Sequence, residues 1–153
     1  MPARLSAIRG GALQWQTGAE LVVDTQGQAL YDITPEVVRF LAGSSAGDGA
    51  VLLFLRHTSA SLTIQENADP DVQTDLVMAL RRLAPDEGPW VHTVEGPDDM
   101  PAHIKAMLTG VSLHVPVRGG ALGLGTWQGI YLVEHRVRPH RREVTLQFIG
   151  SKV

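Results

Sequence analysis

"AVLLFLRHTSASLTIQENADPD", residues 50–71, sets two strands one after the other and then opens a helix. Val51, Leu53 and Leu55 alternate with their neighbours, and His57 continues their face, because successive strand side chains point to opposite sides. Residues 60–66 alternate again, so 50–57 and 60–66 read as adjacent strands. Asp69 then supplies an N-cap and Pro70 the first residue of a helix. Val72, Leu76, Ala79, Leu80 and Leu83 recur along it at helical spacing, and Pro85 follows its end. Polar groups crowd the exit of an apolar row. That pattern is expected if the two strands deliver His57 and Glu66 to one wall of a site.

Upstream, strands are expected near 12–17, 20–24 and 28–33, separated by Gly18 and the "TQGQ" turn. Thr34 is placed as the N-cap of a helix that opens with Pro35, buries Val37, Val38 and Leu41, and stops at Gly43. "GSSAGDGA", 43–50, reads as a surface loop. Downstream, "MPAHIKAMLTG" fits a short helix beginning at Pro101, behind Asp98 and Asp99 and ended by Gly110. Strands at 111–117, 129–137 and 143–150 close the chain. Strands outnumber helices and the connections are short. The expected fold is therefore one α+β domain over 1–153, with a mainly antiparallel, two-layered, sandwich-like sheet and three short helices.

Composition narrows the function. Of 153 residues, 44% are hydrophobic and 19% charged, ordinary values for a globular chain. A net charge of −3 argues against bulk electrostatic binding of nucleic acid. No apolar run approaches the ~20 residues of a membrane helix, and the start lacks the apolar core of a secretory signal. A cytoplasmic location is the default expectation. With no cysteine, disulfides are excluded and any metal must take nitrogen and oxygen ligands.

Three polar groupings carry candidate chemistry. Ile130 and Leu132 lead along one face to Glu134, a carboxylate whose burial is costly unless it is paired. Arg136 and Arg56 are its candidate ion-pair partners. His92 and His103 stand eleven residues apart across the acidic "EGPDDM" loop. With His57 and Glu134 they make a set of three nitrogens and one oxygen suited to a divalent ion, zinc first, with magnesium or manganese as alternatives. Each histidine also fits a plain packing or surface role, and the spacing matches no finger or protease pattern. For an anion, the candidates are Lys105, the hydroxyls of Thr58, Ser59 and Ser61, and Thr126 and Gln128 in "GLGTWQG". A strand follows that glycine-rich segment, which rules out a dinucleotide loop. His135 and His140 fall in the basic "HRVRPHRR" stretch and are expected to face solvent or an anion. His114, alternating with Val115 in a strand, is expected to be structural.

"HTSASLTIQENADPD", "EGPDDMPAHIKAMLTGVSLHVPV" and "GTWQGIYLVEHR" together resemble the YjbQ-like family, also called secondary thiamine-phosphate synthases. The three blocks stand in the family's order and spacing across residues 50–150, while the first forty residues match only in pattern. The resemblance implies an α+β fold with a two-layered sheet, a homotrimer, and a cleft that takes a metal ion or an anion. Its motif histidines fall on His57, His92 and His103, its acidic positions on Glu66 and Glu134, and its "GTWQG" on Gly125 to Gly129. It also implies a weak thiamine phosphate synthase activity, joining hydroxymethylpyrimidine diphosphate to a thiazole phosphate. In that reading Glu134, Glu66 and His57 are catalytic, and His57, His92 and His103 hold the metal. Thr58, Ser59, Lys105, Thr126 and Gln128 face a small phosphorylated metabolite. Two other classes stay open: a metal-dependent phosphohydrolase, and a non-catalytic trimer that binds a metal or metabolite.

Overall fold

The computed structural model describes residues 2–153, and from Trp15 onward strands and helices follow one another, interrupted chiefly by a long loop at 84–98. Eight strands and three helices follow in order: β1 Trp15–Thr25, β2 Ala29–Asp32, α1 Thr34–Gly43, β3 Ala46–Leu55, β4 Ala60–Glu66, α2 Pro70–Leu83, α3 Asp99–Thr109, β5 Ser112–Arg118, β6 Ala121–Leu122, β7 Gln128–Glu134 and β8 His140–Lys152. Every strand pair is antiparallel, in a larger sheet ordered β1-β8-β3-β5-β6 and a smaller one ordered β2-β7-β4. The fold is α+β with two antiparallel layers and three helices, as the sequence predicts. No described helix is long and apolar enough to cross a membrane.

Alternation builds the core. Val51, Leu53 and Leu55 of β3 and Val144, Leu146 and Phe148 of β8 face Leu62 of β4 and Ile130 and Leu132 of β7, with all of them buried. Val37 and Leu41 of α1 pack into the same cluster. Helix α2 keeps no residue fully buried. Val72, Leu76 and Leu80 are half covered while Ala79 and Leu83 face solvent, so its apolar stripe is narrower than the periodicity predicts.

Several boundaries differ from expectation for local reasons. Gly18 does not divide 12–24: β1 runs unbroken because β8 pairs with it along the whole length, Trp15 opposite Gly150 to Thr25 opposite His140. The expected loop 43–50 becomes the start of β3, which crosses a bulge between Ala46 and Gly49. Glycine is required there, since a Cβ on Gly49 would stand 2.2 Å from the Ile149 carbonyl oxygen. Thr34 lies inside α1, not at its cap; its amide donates to Asp32 Oδ1 at 2.9 Å and its hydroxyl accepts from the Ile130 amide at 2.8 Å. Asp69 does cap α2, its Oδ1 accepting from the Asp71 amide at 2.9 Å. α3 begins at Asp99, two residues before Pro101, which the first turn tolerates because its amide needs no partner there.

Candidate metal centre and its groove

The N-terminal turns of α3 bring three groups together. Asp99 and His103 are four residues apart on one helical face, and the loop before the helix returns His92 to the same point. Asp99 Oδ2 lies 2.7 Å from His92 Nε2 and 3.0 Å from His103 Nε2. The three ligand atoms all fall within 4.8 Å of one another. The other carboxylate oxygen, Oδ1, accepts from Arg136 Nη1 at 2.6 Å. Arg136 also donates to Asp98 Oδ2 and to the Glu95 carbonyl, which pins the loop that carries His92. Burial alone would raise the Asp99 carboxyl; the His92 hydrogen bond and the charges of His103 and Arg136 outweigh it and hold Asp99 below the ordinary range.

The protonation pattern tests whether a cation fits. His103 Nδ1 lies 2.8 Å from the Thr58 carbonyl oxygen, a group that only accepts, so Nδ1 carries a hydrogen. In the neutral ring Nε2 is then a bare lone pair, and it faces a carboxylate oxygen at 3.0 Å. Two acceptors at that distance need a positive centre between them, a second proton or a metal ion. Metal-ligating histidines commonly donate their other N–H to a backbone carbonyl in this way. Neighbouring ligands on a tetrahedral ion with bonds of about 2.0–2.1 Å stand ~3.3 Å apart, so these contacts need open by only a few tenths of an ångström. Two nitrogens, one oxygen and a half-exposed His92 make a zinc-type donor set with a position open to a ligand.

His103 also lines an open groove of about 650 Å³, shared with Phe54, Arg56, His57, Thr58, Met107 and Val111. Its walls are largely apolar, and Phe54 and Met107 stand 45% and 79% exposed at the rim.

Other expected site residues lie elsewhere. His57 reaches the groove but not the metal group, since its Nε2 accepts from the Glu143 amide at 2.8 Å and has no lone pair left for an ion. Burial first, and then the charge of Arg142, lower its pKa and keep it neutral. Glu134 is 1% exposed and belongs to neither group: it is clamped by Arg142, with Nε on Oε2 at 2.7 Å and Nη2 on Oε1 at 2.5 Å, and by Thr25 and the Arg136 amide. Its ion-pair partner is thus Arg142, not the expected Arg136 or Arg56 side chains. Burial would raise this carboxyl, and the hydrogen bonds from Arg142, the Arg136 amide and Thr25 bring it below the ordinary range instead. A carboxylate so fully committed ties the two sheets together and has no acceptor capacity free for a substrate proton. Ser59 also turns inward, accepting from Arg142 Nη2 at 2.9 Å.

Glu66 is at the far end of the smaller sheet. β4 pairs Ala60 with Glu134 and Glu66 with Gln128, six residue steps or roughly 20 Å apart. There Glu66 Oε2 accepts from the Ala68 and Asp69 amides, shaping the turn into α2. Gln128 closes its own turn through the Gly125 amide, and Thr126 presents a carbonyl to Asn67. The wall expected to join His57 and Glu66 is therefore not formed. Lys105 is 2% exposed and faces away from the groove, lining with His135, Gln28 and Arg81 a cavity of about 10 Å³. His135, expected at the surface, is 2% exposed and bonded through Nε2 to Ser61 Oγ at 2.7 Å. His114 lies exposed in β5, opposite Leu52.

The sequence reading did not group Asp99 with His92 and His103, nor Arg142 with Glu134. The four-residue spacing of Asp99 and His103 was the available signal for the first. For the second it was parity, because Arg142 heads the inward row Val144, Leu146, Phe148.

A two-sheet α+β protein with a histidine–carboxylate group at a helix N-terminus beside an apolar groove is the class that fold and site define. The profile of the family described as "UPF0047 protein YjbQ-like" matches residues 19–151, and the chain belongs to that family. A UPF0047 protein of Synechocystis sp. is 50% identical over 132 residues, 86% of this chain and 90% of that one. The YugU protein of Bacillus subtilis is 43% identical over 126 residues, covering 82% and 93%. Among solved structures, a YbjQ-like protein of unknown function from Sulfolobus solfataricus superposes with a TM-score of 0.84 at 27% identity, covering 92% of this chain and all of its own. A YjbQ/UPF0047 family protein from Clostridium acetobutylicum gives 0.79 at 40% identity, covering 85% and 98%.

Proposed function

We propose that His92, Asp99 and His103 hold a divalent metal ion, zinc by donor type, and that the adjoining groove seats a small phosphorylated metabolite on which the protein acts as a metal-dependent phosphohydrolase. The observation that carries this is the convergence of His92 Nε2, Asp99 Oδ2 and His103 Nε2, all within 4.8 Å of one another, with His103 Nδ1 held by the Thr58 carbonyl. Such an ion supplies Lewis-acid polarisation of a phosphoryl oxygen and an activated water. The chain's own residues do the rest. Thr58 orients His103, and Arg136 fixes Asp99 through Oδ1 and leaves Oδ2 toward the ion. Phe54, Met107 and Val111 offer an apolar bed to the organic part of the ligand, and Arg56 brings positive charge to the groove.

Pyrimidine–thiazole joining is the second reading. The flat apolar wall favours it, since a heteroaromatic ring lies well on such a surface. The two-nitrogen donor set weighs the other way, because a magnesium diphosphate is held mainly through oxygen ligands. Two further parts of the proposal are a homotrimer, which the resemblance implies and with which the exposed Phe54 and Met107 are consistent, and a cytoplasmic location, the default expected from composition. Light scattering on purified protein tests it: three chains of 16.5 kDa are expected, and a monomer would contradict it.

The functional test is turnover by zinc-loaded protein on a panel of phosphorylated heteroaromatic compounds, assaying both phosphate release and pyrimidine–thiazole joining. Asp99→Asn keeps an oxygen for Arg136 and turns an amide NH₂ toward the histidines, so it removes the charged ligand with little disturbance. Phosphate release that falls at least about 100-fold in a folded Asp99→Asn protein is the expected result. Equal release by wild type and variant overturns the proposal, and joining without release selects the second reading.

A further inference from the structure

Both histidines meet the same oxygen of Asp99, and its other oxygen is already taken. His92 Nε2 and His103 Nε2 stand 2.7 and 3.0 Å from Oδ2, while Oδ1 accepts from Arg136 Nη1 at 2.6 Å. A short hydrogen bond between two opposite charges is among the strongest polar contacts a protein makes. The Asp99 side chain is 2% exposed, so solvent hardly competes for that oxygen.

Arg136 cannot easily swing aside to release it. Its Nε donates to Asp98 Oδ2 at 3.1 Å and its Nη2 to the Glu95 carbonyl at 2.8 Å. Its own amide donates to Glu134 Oε1 at 3.0 Å, and the next amide, of Val137, donates to Asp98 Oδ2 at 2.9 Å. The loop before α3, the start of α3 and the end of β7 therefore fix the guanidinium from three directions, and its side chain is 12% exposed.

A carboxylate can give a cation one oxygen or two, and this one can give a single oxygen. Zinc is satisfied by four ligands, nitrogen among them. Magnesium and manganese take six, chiefly oxygen, and calcium takes more still, often through both oxygens of a carboxylate. The guanidinium charge, one carboxylate away from the ion, also opposes a second cation. That opposition weighs most on ions held by charge instead of by nitrogen donors.

We propose that Arg136 sets the metal selectivity of this centre: by holding Asp99 Oδ1 it confines the carboxylate to one metal-facing oxygen and favours a four-coordinate zinc-type ion over six-coordinate, oxygen-seeking ions. The inference rests on the metal reading above and adds to it what decides between ions. Arg136 touches no ion itself and acts through Asp99, as a positioning residue.

The test titrates zinc and manganese(II), in competition with a chromophoric chelator, into metal-stripped full-length wild type and Arg136→Met. The variant removes the charge and the donors at similar side-chain length and frees Oδ1. Its zinc-to-manganese affinity ratio is expected to fall at least about tenfold below that of wild type, the scale on which the partners of a metal ligand act. A role confined to fastening the loop would weaken both ions alike, so an unchanged ratio overturns the proposal. If Arg136→Met does not fold by circular dichroism, cobalt(II)-loaded wild type decides. The strong visible bands of a four-coordinate ion are expected, and the faint bands of a six-coordinate ion overturn the proposal. Failure of the metal reading looks different: wild type then takes up neither zinc nor cobalt, and the selectivity inference falls with it.

Discussion

His135 is buried without charge, and its neighbours dictate its proton. The Thr109 hydroxyl gives its hydrogen to the Lys105 carbonyl at 2.8 Å, so Ser61 must donate to Thr109 and accept from His135 Nε2–H. Burial, and then the positive charge of Lys105, lower the His135 pKa to about 4. The unfolded ring titrates near 6.5, so between these values the unfolded chain binds a proton that the folded one refuses. Stability therefore rises with pH across that window and falls on acidification, by about 1.4 kcal/mol per pH unit from this group. Urea unfolding at pH 4.5, 5.5 and 6.5 checks the slope, and His135→Gln is expected to flatten it. An unchanged slope in the variant would mean that other groups carry the acid sensitivity. At this scale the sequence is least legible. Glu134 and Arg142 are each visible as a charge on an apolar row, yet their pairing depends on two sheets meeting face to face. "HRVRPHRR" reads as a surface cluster because charge runs usually are, and only the β8 parity puts one of its arginines inside.

The elements are more legible, because periodicity is a local property. β4, α2 and α3 appear where 60–66, 70–83 and "MPAHIKAMLTG" place them, within one or two residues, while β3 starts four residues ahead of the expected 50–57. What periodicity does not give is direction in space. His57 and Glu66 lie close in sequence, but β4 runs between them and carries Glu66 to the opposite end of the smaller sheet. A strand separates its ends by about 3.3 Å for each residue, so neighbours in a motif need not be neighbours in a site. Glu66 belongs to the α2 entry, where one carboxylate oxygen serves two amides. Glu66→Ala is expected to cost about 1 kcal/mol of stability, the usual scale of a lost cap, and to leave zinc content unchanged. Loss of zinc with the fold intact would return Glu66 to the site.

Across the whole molecule, the two-sheet core places the candidate site at one end. Apolar rows from both sheets run toward that end and finish in the Glu134–Arg142 pair, beyond which lie His57, Thr58 and the first turns of α3. The ion pair lets buried rows end in polar groups without an unpaired charge. The His92–Asp99 contact ties the long loop before α3 to the helix, with Arg136 fastening the same loop to the end of β7. The measurement that bears most directly on this account is metal stoichiometry by native mass spectrometry on untagged wild type, His57→Ala, His92→Ala, Asp99→Asn and His103→Ala. One zinc per chain in wild type and His57→Ala, and none in the other three, is the predicted result. Zinc lost from His57→Ala but kept by His92→Ala or Asp99→Asn would contradict it.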